Sequence, residues 1–136
     1  MIGIDIVDIR RIAKMVERYG ERFLEKVFTP AEVRYAGGKR RKEESLAGRF
    51  AAKEAFMKAS GRRLTFTDIE VLSESGRPFI MYRGVRFDDV SISHERSYAV
   101  SVVILKEPPG VSVNNSIVGN AERRTQNEKT GTGGGI

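Results

Sequence analysis

The chain has 136 residues, 40% of them hydrophobic, a net charge of +6 and no cysteine. That length fits one modest domain, and the absence of thiols excludes disulfides and thiolate metal sites. No apolar run approaches the roughly 20 residues that span a bilayer. The opening MIGIDIVDIRRI lacks the basic-then-apolar order of a secretion signal, so a cytoplasmic protein is expected. The positive charge favours an anionic partner, and charge alone leaves nucleic acid, membrane surface, phosphorylated ligand and acidic protein open.

Ile2, Ile4 and Ile6 alternate with Gly3, Asp5 and Val7, the period of a strand. Asp8 then caps a helix from about residue 9 to 19, with an apolar stripe of Ile9, Ile12, Ala13 and Val16 and with Gly20 at its end. A short helix is expected near 21–27. Thr29-Pro30-Ala31-Glu32 has the form of a helix start, with proline first and glutamate three after the cap. Gly37-Gly38 stops that helix, and the basic run 39–42 reads as a solvated loop. A long helix is expected over 43–60, ended by Gly61. Hairpin-linked antiparallel strands follow at 69–73, 78–82, 90–93 and 98–105, with a turn at 74–77. Helices early and strands late give an α+β class. Residues 1–107, which hold all of these elements, are taken as one domain. Residues 108–136 open on Pro108-Pro109-Gly110 and carry too little apolar content to order themselves.

The long helix is apolar in nearly every direction, which predicts burial. Yet Arg49 and Lys53 form one ridge and Glu54 and Lys58 another, each four residues apart. Buried charges need partners or a ligand; the plainer reading is i,i+4 pairing on a partly exposed stripe. Asp5 raises the same question, because aspartate is disfavoured in strands. It is either a solvent-facing residue on an edge strand or a metal ligand or base. Magnesium takes one or two protein carboxylates and completes its octahedron with water and substrate phosphates. Asp5 and Glu54 supply that minimal set if the first strand packs beside the long helix. On the first helix, Arg11, Lys14, Met15 and Arg18 lie opposite the apolar stripe. They form either a solvated basic face or a docking surface for an acidic helix, with Met15 as an adaptable apolar contact. His94, the single histidine, sits at a strand end, where histidines are usually structural or exposed.

Taken together these segments resemble the holo-acyl-carrier-protein synthases, a family of 4′-phosphopantetheinyl transferases. The resemblance rests on Gly3-Ile4-Asp5-Ile6-Val7-Asp8-Ile9 with Arg11-Ile12 and on Phe28-Thr29-x-x-Glu32. It rests above all on Gly48-Arg49-Phe50-Ala51-Ala52-Lys53-Glu54-Ala55-Phe56-x-Lys58-Ala59. Ser75-Gly76-Arg77-Pro78 and Ser91-Ile92-Ser93-His94 with Tyr98-Ala99 complete it, all in the family's order.

The resemblance implies a compact α+β trimer, a small antiparallel sheet packed with a long central helix, with sites at the subunit interfaces. It implies magnesium held by Asp5 and Glu54, and Lys53 as a lysine of the catalytic site. Arg49, Lys53 and Lys58 are then expected on coenzyme A phosphates, with Arg77, Pro78 and His94 at the nucleotide end. Arg11, Lys14, Met15 and Arg18 are expected to hold the apo acyl carrier protein. The implied reaction moves phosphopantetheine from coenzyme A to a carrier serine, releasing adenosine 3′,5′-bisphosphate in support of fatty acid biosynthesis. The general base stays open among Asp5, Glu54 and a water. Two rival readings exist. A nucleic-acid-binding module fits the charge but lacks a helix-turn-helix signature, zinc ligands and the aromatic RNA-binding motif, so neither nucleic acid nor membrane is expected as partner. A non-catalytic coenzyme A binder would not need the Asp5–Glu54 pair.

Overall fold

The computed structural model describes residues 1–107 and Pro109; the expectation for a structureless tail falls outside them. The first compact unit, Met1–Lys106, is ordered as β1 (Ile2–Asp8), α1 (Ile9–Tyr19), α2 (Glu21–Val27), α3 (Pro30–Gly37) and α4 (Lys42–Ser60), then a 3₁₀ turn (Phe66–Asp68) and β2 (Ile69–Glu74). The chain continues through β3 (Arg77–Tyr82), β4 (Val85–Phe87), β5 (Val90–His94) and β6 (Tyr98–Ile104).

The local signals explain the boundaries. The Asp8 side chain accepts from the Arg10 backbone N–H and starts α1, and the Arg10 side chain beside it holds the carboxyl below its usual pKa. Thr29 and Glu32 form a complete capping box at the start of α3. Gly20, at φ 55°, and Gly61, in the left-handed region, end α1 and α4. Two hairpins carry positive φ at both turn residues, Ser75-Gly76 and Arg83-Gly84, the backbone that matches strand twist in two-residue loops. The second hairpin creates β4, a strand the sequence reading left out; Arg83-Gly84 was its signal.

The strands form two antiparallel three-stranded sheets, ordered β1-β6-β5 and β2-β3-β4. Helix α4 lies between two apolar clusters, which is why it is apolar all round. Leu46, Ala47 and Ala51 pack with Ile12, Phe23, Leu24 and Phe28. Ala52, Phe56 and Ala59 pack with Ile69, Val71, Ile80, Tyr82 and Val103. Strand β1 comes so close to α4 that a Cβ on Gly3 would sit 1.9 Å from the Ala55 carbonyl oxygen. Only glycine permits that approach, and it brings the next inward residue, Asp5, against the helix. The opposite face of this sheet carries Ile2, Ile4, Ile6 and Ile104, all exposed.

Candidate active site

Helix α4 distributes the expected functional groups along its length. In its N-terminal half, Arg49 lines a cavity of about 460 Å³ together with Tyr35, Lys39, Arg40, Arg41, Glu44, Pro78 and His94. Arg49 is only 7% exposed, and its Nε is buried with no hydrogen-bond partner. Its guanidinium stacks 4.0 Å from the Tyr35 ring centroid, and Nη1 makes one long contact, 3.5 Å, to Ser45 Oγ. Burial lowers the guanidinium's pKa, against the opposing pull of Tyr35 and Glu32. A buried cation with an unpartnered donor is costly, and an anion bound in the cavity that Arg49 lines would offset that cost. His94 Nδ1 lies 3.4 Å from Glu44 Oε2, which also pairs with Arg41 at 3.3 Å. The run 39–42 is therefore more than a solvated loop: Lys39, Arg40 and Arg41 form one wall of this cavity, and Lys42 begins α4. Arg77 is not on that wall; it lines a neighbouring groove with Glu74 and Arg86, while Pro78 borders both.

Nine residues further along α4, about 13 Å at the helical rise, lies Lys58. Its Nζ is 3.2 Å from Asp5 Oδ1 and donates to the Ile4 carbonyl at 3.0 Å. Glu54, one turn back on the same ridge, is half-buried and makes no side-chain hydrogen bond or ion pair among the described residues. The packing of β1 on α4 thus sets the strand that carries Asp5 beside the helix that carries Glu54. No group of three or more His, Cys, Asp or Glu able to hold a metal occurs among the described residues. A donor set of two carboxylates suits magnesium, whose other positions are filled by water and phosphate, and not a structural zinc site.

Glu54 also opens onto an apolar cleft of about 310 Å³ walled by Ile12, Met15, Phe23, Val27, Phe50 and Phe66, with Arg11, Lys26 and Arg63 around it. Phe50 and Phe66 stack at 5.5 Å. Of the four residues expected to dock a carrier, Arg11 and Met15 line this cleft; Lys14 and Arg18 are exposed on α1 outside it. Phe23, Lys26, Phe50, Arg63 and Phe66 were not singled out for the site from sequence, since only the packing of α2 and the 3₁₀ turn against α1 and α4 assembles them.

Lys53 stands apart from the expectation that it meets phosphate. Its ammonium is fully buried, 2.7 Å from Glu32 Oε1, and donates to the carbonyls of Val27 at 2.7 Å and Phe66 at 3.0 Å. Burial lowers its pKa, opposed by Glu32. In this geometry its three protons are already spent.

The family model of the 4′-phosphopantetheinyl transferase superfamily matches residues 1–103. A holo-[acyl-carrier-protein] synthase of Halothermothrix orenii is 47% identical over 120 residues, covering 78% of this chain and 96% of the relative. One from Geobacter sulfurreducens is 41% identical over 121 residues, covering 78% and 96%. Among solved structures, the Helicobacter pylori holo-[acyl-carrier-protein] synthase in complex with coenzyme A superposes with a TM-score of 0.69 at 35% identity, covering 76% of this chain and 98% of that one. The Bacillus anthracis enzyme, also solved with coenzyme A (3′,5′-ADP), gives 0.67 at 38% identity, covering 78% and 95%.

Proposed function

The chain belongs to the 4′-phosphopantetheinyl transferase superfamily, among the holo-[acyl-carrier-protein] synthases, and we propose that it transfers 4′-phosphopantetheine from coenzyme A to a serine of apo acyl carrier protein. The observation that carries this reading is Arg49: a buried guanidinium with an unspent donor, on a cavity edged by Lys39, Arg40, Arg41 and His94. A nucleotide carrying several phosphates supplies the anion such a site lacks. Relatives of this fold are solved with coenzyme A.

The chain's residues divide the work. Arg49, Lys39, Arg40, Arg41 and His94 hold the nucleotide end by charge-assisted hydrogen bonds. Asp5 and Glu54 are the residues that would hold magnesium, which when bound acts as a Lewis acid toward a pyrophosphate oxygen. Lys58, released from Asp5, is placed to offset charge growing on the departing phosphate. Arg11, Lys26 and Arg63 attract the acidic carrier, and the Phe50–Phe66 cleft takes its apolar contact. The serine oxygen, giving its proton to Asp5, Glu54 or a water, then attacks the phosphorus nearest pantetheine. The bond from that phosphorus to the bridging oxygen breaks, and adenosine 3′,5′-bisphosphate leaves. This supplies holo carrier for fatty acid biosynthesis. Release of adenosine 3′,5′-bisphosphate that requires both apo carrier protein and magnesium tests the reading. Release with coenzyme A alone would mark a hydrolase, and no release under any condition would refute transfer.

The site is completed between copies of the chain. Arg49 and His94 line a cavity along the N-terminal half of α4, while Asp5 and Lys58 lie near its C-terminal end. The exposed aliphatic face of Ile2, Ile4, Ile6 and Ile104 needs cover. A second copy meets that need and sets one chain's cavity beside its neighbour's carboxylates. Three copies is the number the family resemblance implies.

A further inference from the structure

We infer that Lys53 is a positioning residue whose buried pair with Glu32 fixes the walls of the carrier cleft, and that it does not touch coenzyme A. The inference rests on the cleft being the carrier's docking place, as argued above.

The geometry leaves the Lys53 ammonium no proton for a phosphate. An ammonium has three protons. Here one faces Glu32 Oε1 at 2.7 Å, one the Val27 carbonyl at 2.7 Å and one the Phe66 carbonyl at 3.0 Å. Glu32 is as fully engaged. Its Oε1 also accepts from the Thr29 backbone N–H at 2.8 Å, and its Oε2 accepts from the Val71 backbone N–H at 2.6 Å. Both side chains have zero exposure. The pair therefore pins the end of α2, the start of α3, the 3₁₀ turn and β2 onto α4.

Two of those pinned points are the cleft itself. Val27 and Phe66 sit on it, and Phe66 stacks on Phe50 of α4. Lys53 is also the residue before Glu54, which opens onto the same cleft. A buried ion pair is seldom worth keeping for stability alone, since an apolar pair of similar volume often serves as well. What an apolar pair cannot do is hold two backbone carbonyls at fixed positions. Without the ammonium, the Val27 and Phe66 carbonyls lose their donor and the walls drift apart.

The test uses the full chain and steady-state kinetics with apo acyl carrier protein and coenzyme A varied separately. Lys53→Met leaves Glu32 charged and unpaired in the interior, so the informative variant is Glu32→Gln/Lys53→Met, which removes both charges. The expected result is a folded protein whose KM for the carrier rises about tenfold while its KM for coenzyme A stays within about twofold. Glu32→Gln alone, which keeps the lysine, is expected to shift the carrier KM in the same direction. A rise in the coenzyme A KM, or a normal carrier KM in the folded double variant, overturns the inference. If neither variant folds, amine acetylation of the wild-type chain decides, with Lys39 and Lys58 as reactive controls. Lys53 unmodified with and without coenzyme A supports the inference; Lys53 modified when free and protected by coenzyme A overturns it. Wild-type chain that forms no holo carrier at all would instead refute the transferase reading.

Discussion

Lys58 Nζ lies 3.2 Å from Asp5 Oδ1, a cation resting on the carboxylate proposed above to hold magnesium. The lysine is more than half exposed, so the pair itself contributes little stability. Its interest is electrostatic: Asp5 already pairs with a cation, whereas Glu54, one turn before Lys58, makes no ion pair among the described residues.

Asp5→Asn and Glu54→Gln are therefore each expected to lower turnover by at least about a hundredfold, the scale of losing several kcal/mol of transition-state stabilisation. Circular dichroism should be unchanged, because neither side chain is needed by the core. A folded variant of either kind with near-normal turnover would remove that residue from the site.

Charge reversal should separate the two substrates. Arg11→Glu, at the apolar cleft, is expected to raise the carrier KM by about tenfold, more at low ionic strength than at high. Arg49→Ala should instead raise the coenzyme A KM, since that guanidinium faces the basic cavity. Arg18→Glu, outside the cleft, should fall between wild type and Arg11→Glu. Equal loss toward both substrates in Arg11→Glu would contradict a docking role.

Gly3→Ala is predicted to be costly for its size. The new methyl meets backbone, not a side chain that can swing away, so β1 must move off α4. Overpacking of this kind costs about 1–3 kcal/mol. The same shift moves Asp5 away from α4, so activity should fall further than stability. A Gly3→Ala protein with unchanged melting temperature would show that β1 gives way freely.

A shared site makes a mixing prediction. Asp5→Asn and His94→Ala chains, unfolded, combined and refolded, should regain more activity than the sum of the two refolded apart. Native mass spectrometry should find mixed assemblies. Mixed assemblies without any gain would place both residues on one chain's side of the site, and a monomer at working concentration would end the shared-site reading.

Much of the fold was legible because short signals fixed it. The Asp8 cap, the Thr29–Glu32 capping box and the glycines after α1 and α4 set the helix ends. Alternation gave the faces of β1. The missed strand β4 is three residues long, too short for a period to show, and only its Arg83-Gly84 turn announced it. The site was legible where residues are close in sequence, as with Arg49, Glu54 and Lys58 on one helix. It was not legible where long-range packing decides. Lys53 and Arg49 occupy the same helical ridge and share a charge, yet one ends on Glu32 in the interior and the other on a cavity. Nothing in their spacing distinguishes those fates. Lys39, Arg40 and Arg41 likewise look solvated in sequence, yet they line one cavity with His94.

The central claim is transfer of phosphopantetheine to a carrier serine, and the intact mass of the carrier tests it most directly. Apo acyl carrier protein, coenzyme A and magnesium incubated with the full chain should yield carrier heavier by one phosphopantetheine, localised to a single serine. The Asp5→Asn chain should leave the carrier at its starting mass. A carrier unchanged by the wild-type chain, under conditions where coenzyme A is shown to bind, would contradict the account and leave a coenzyme A-binding protein in its place.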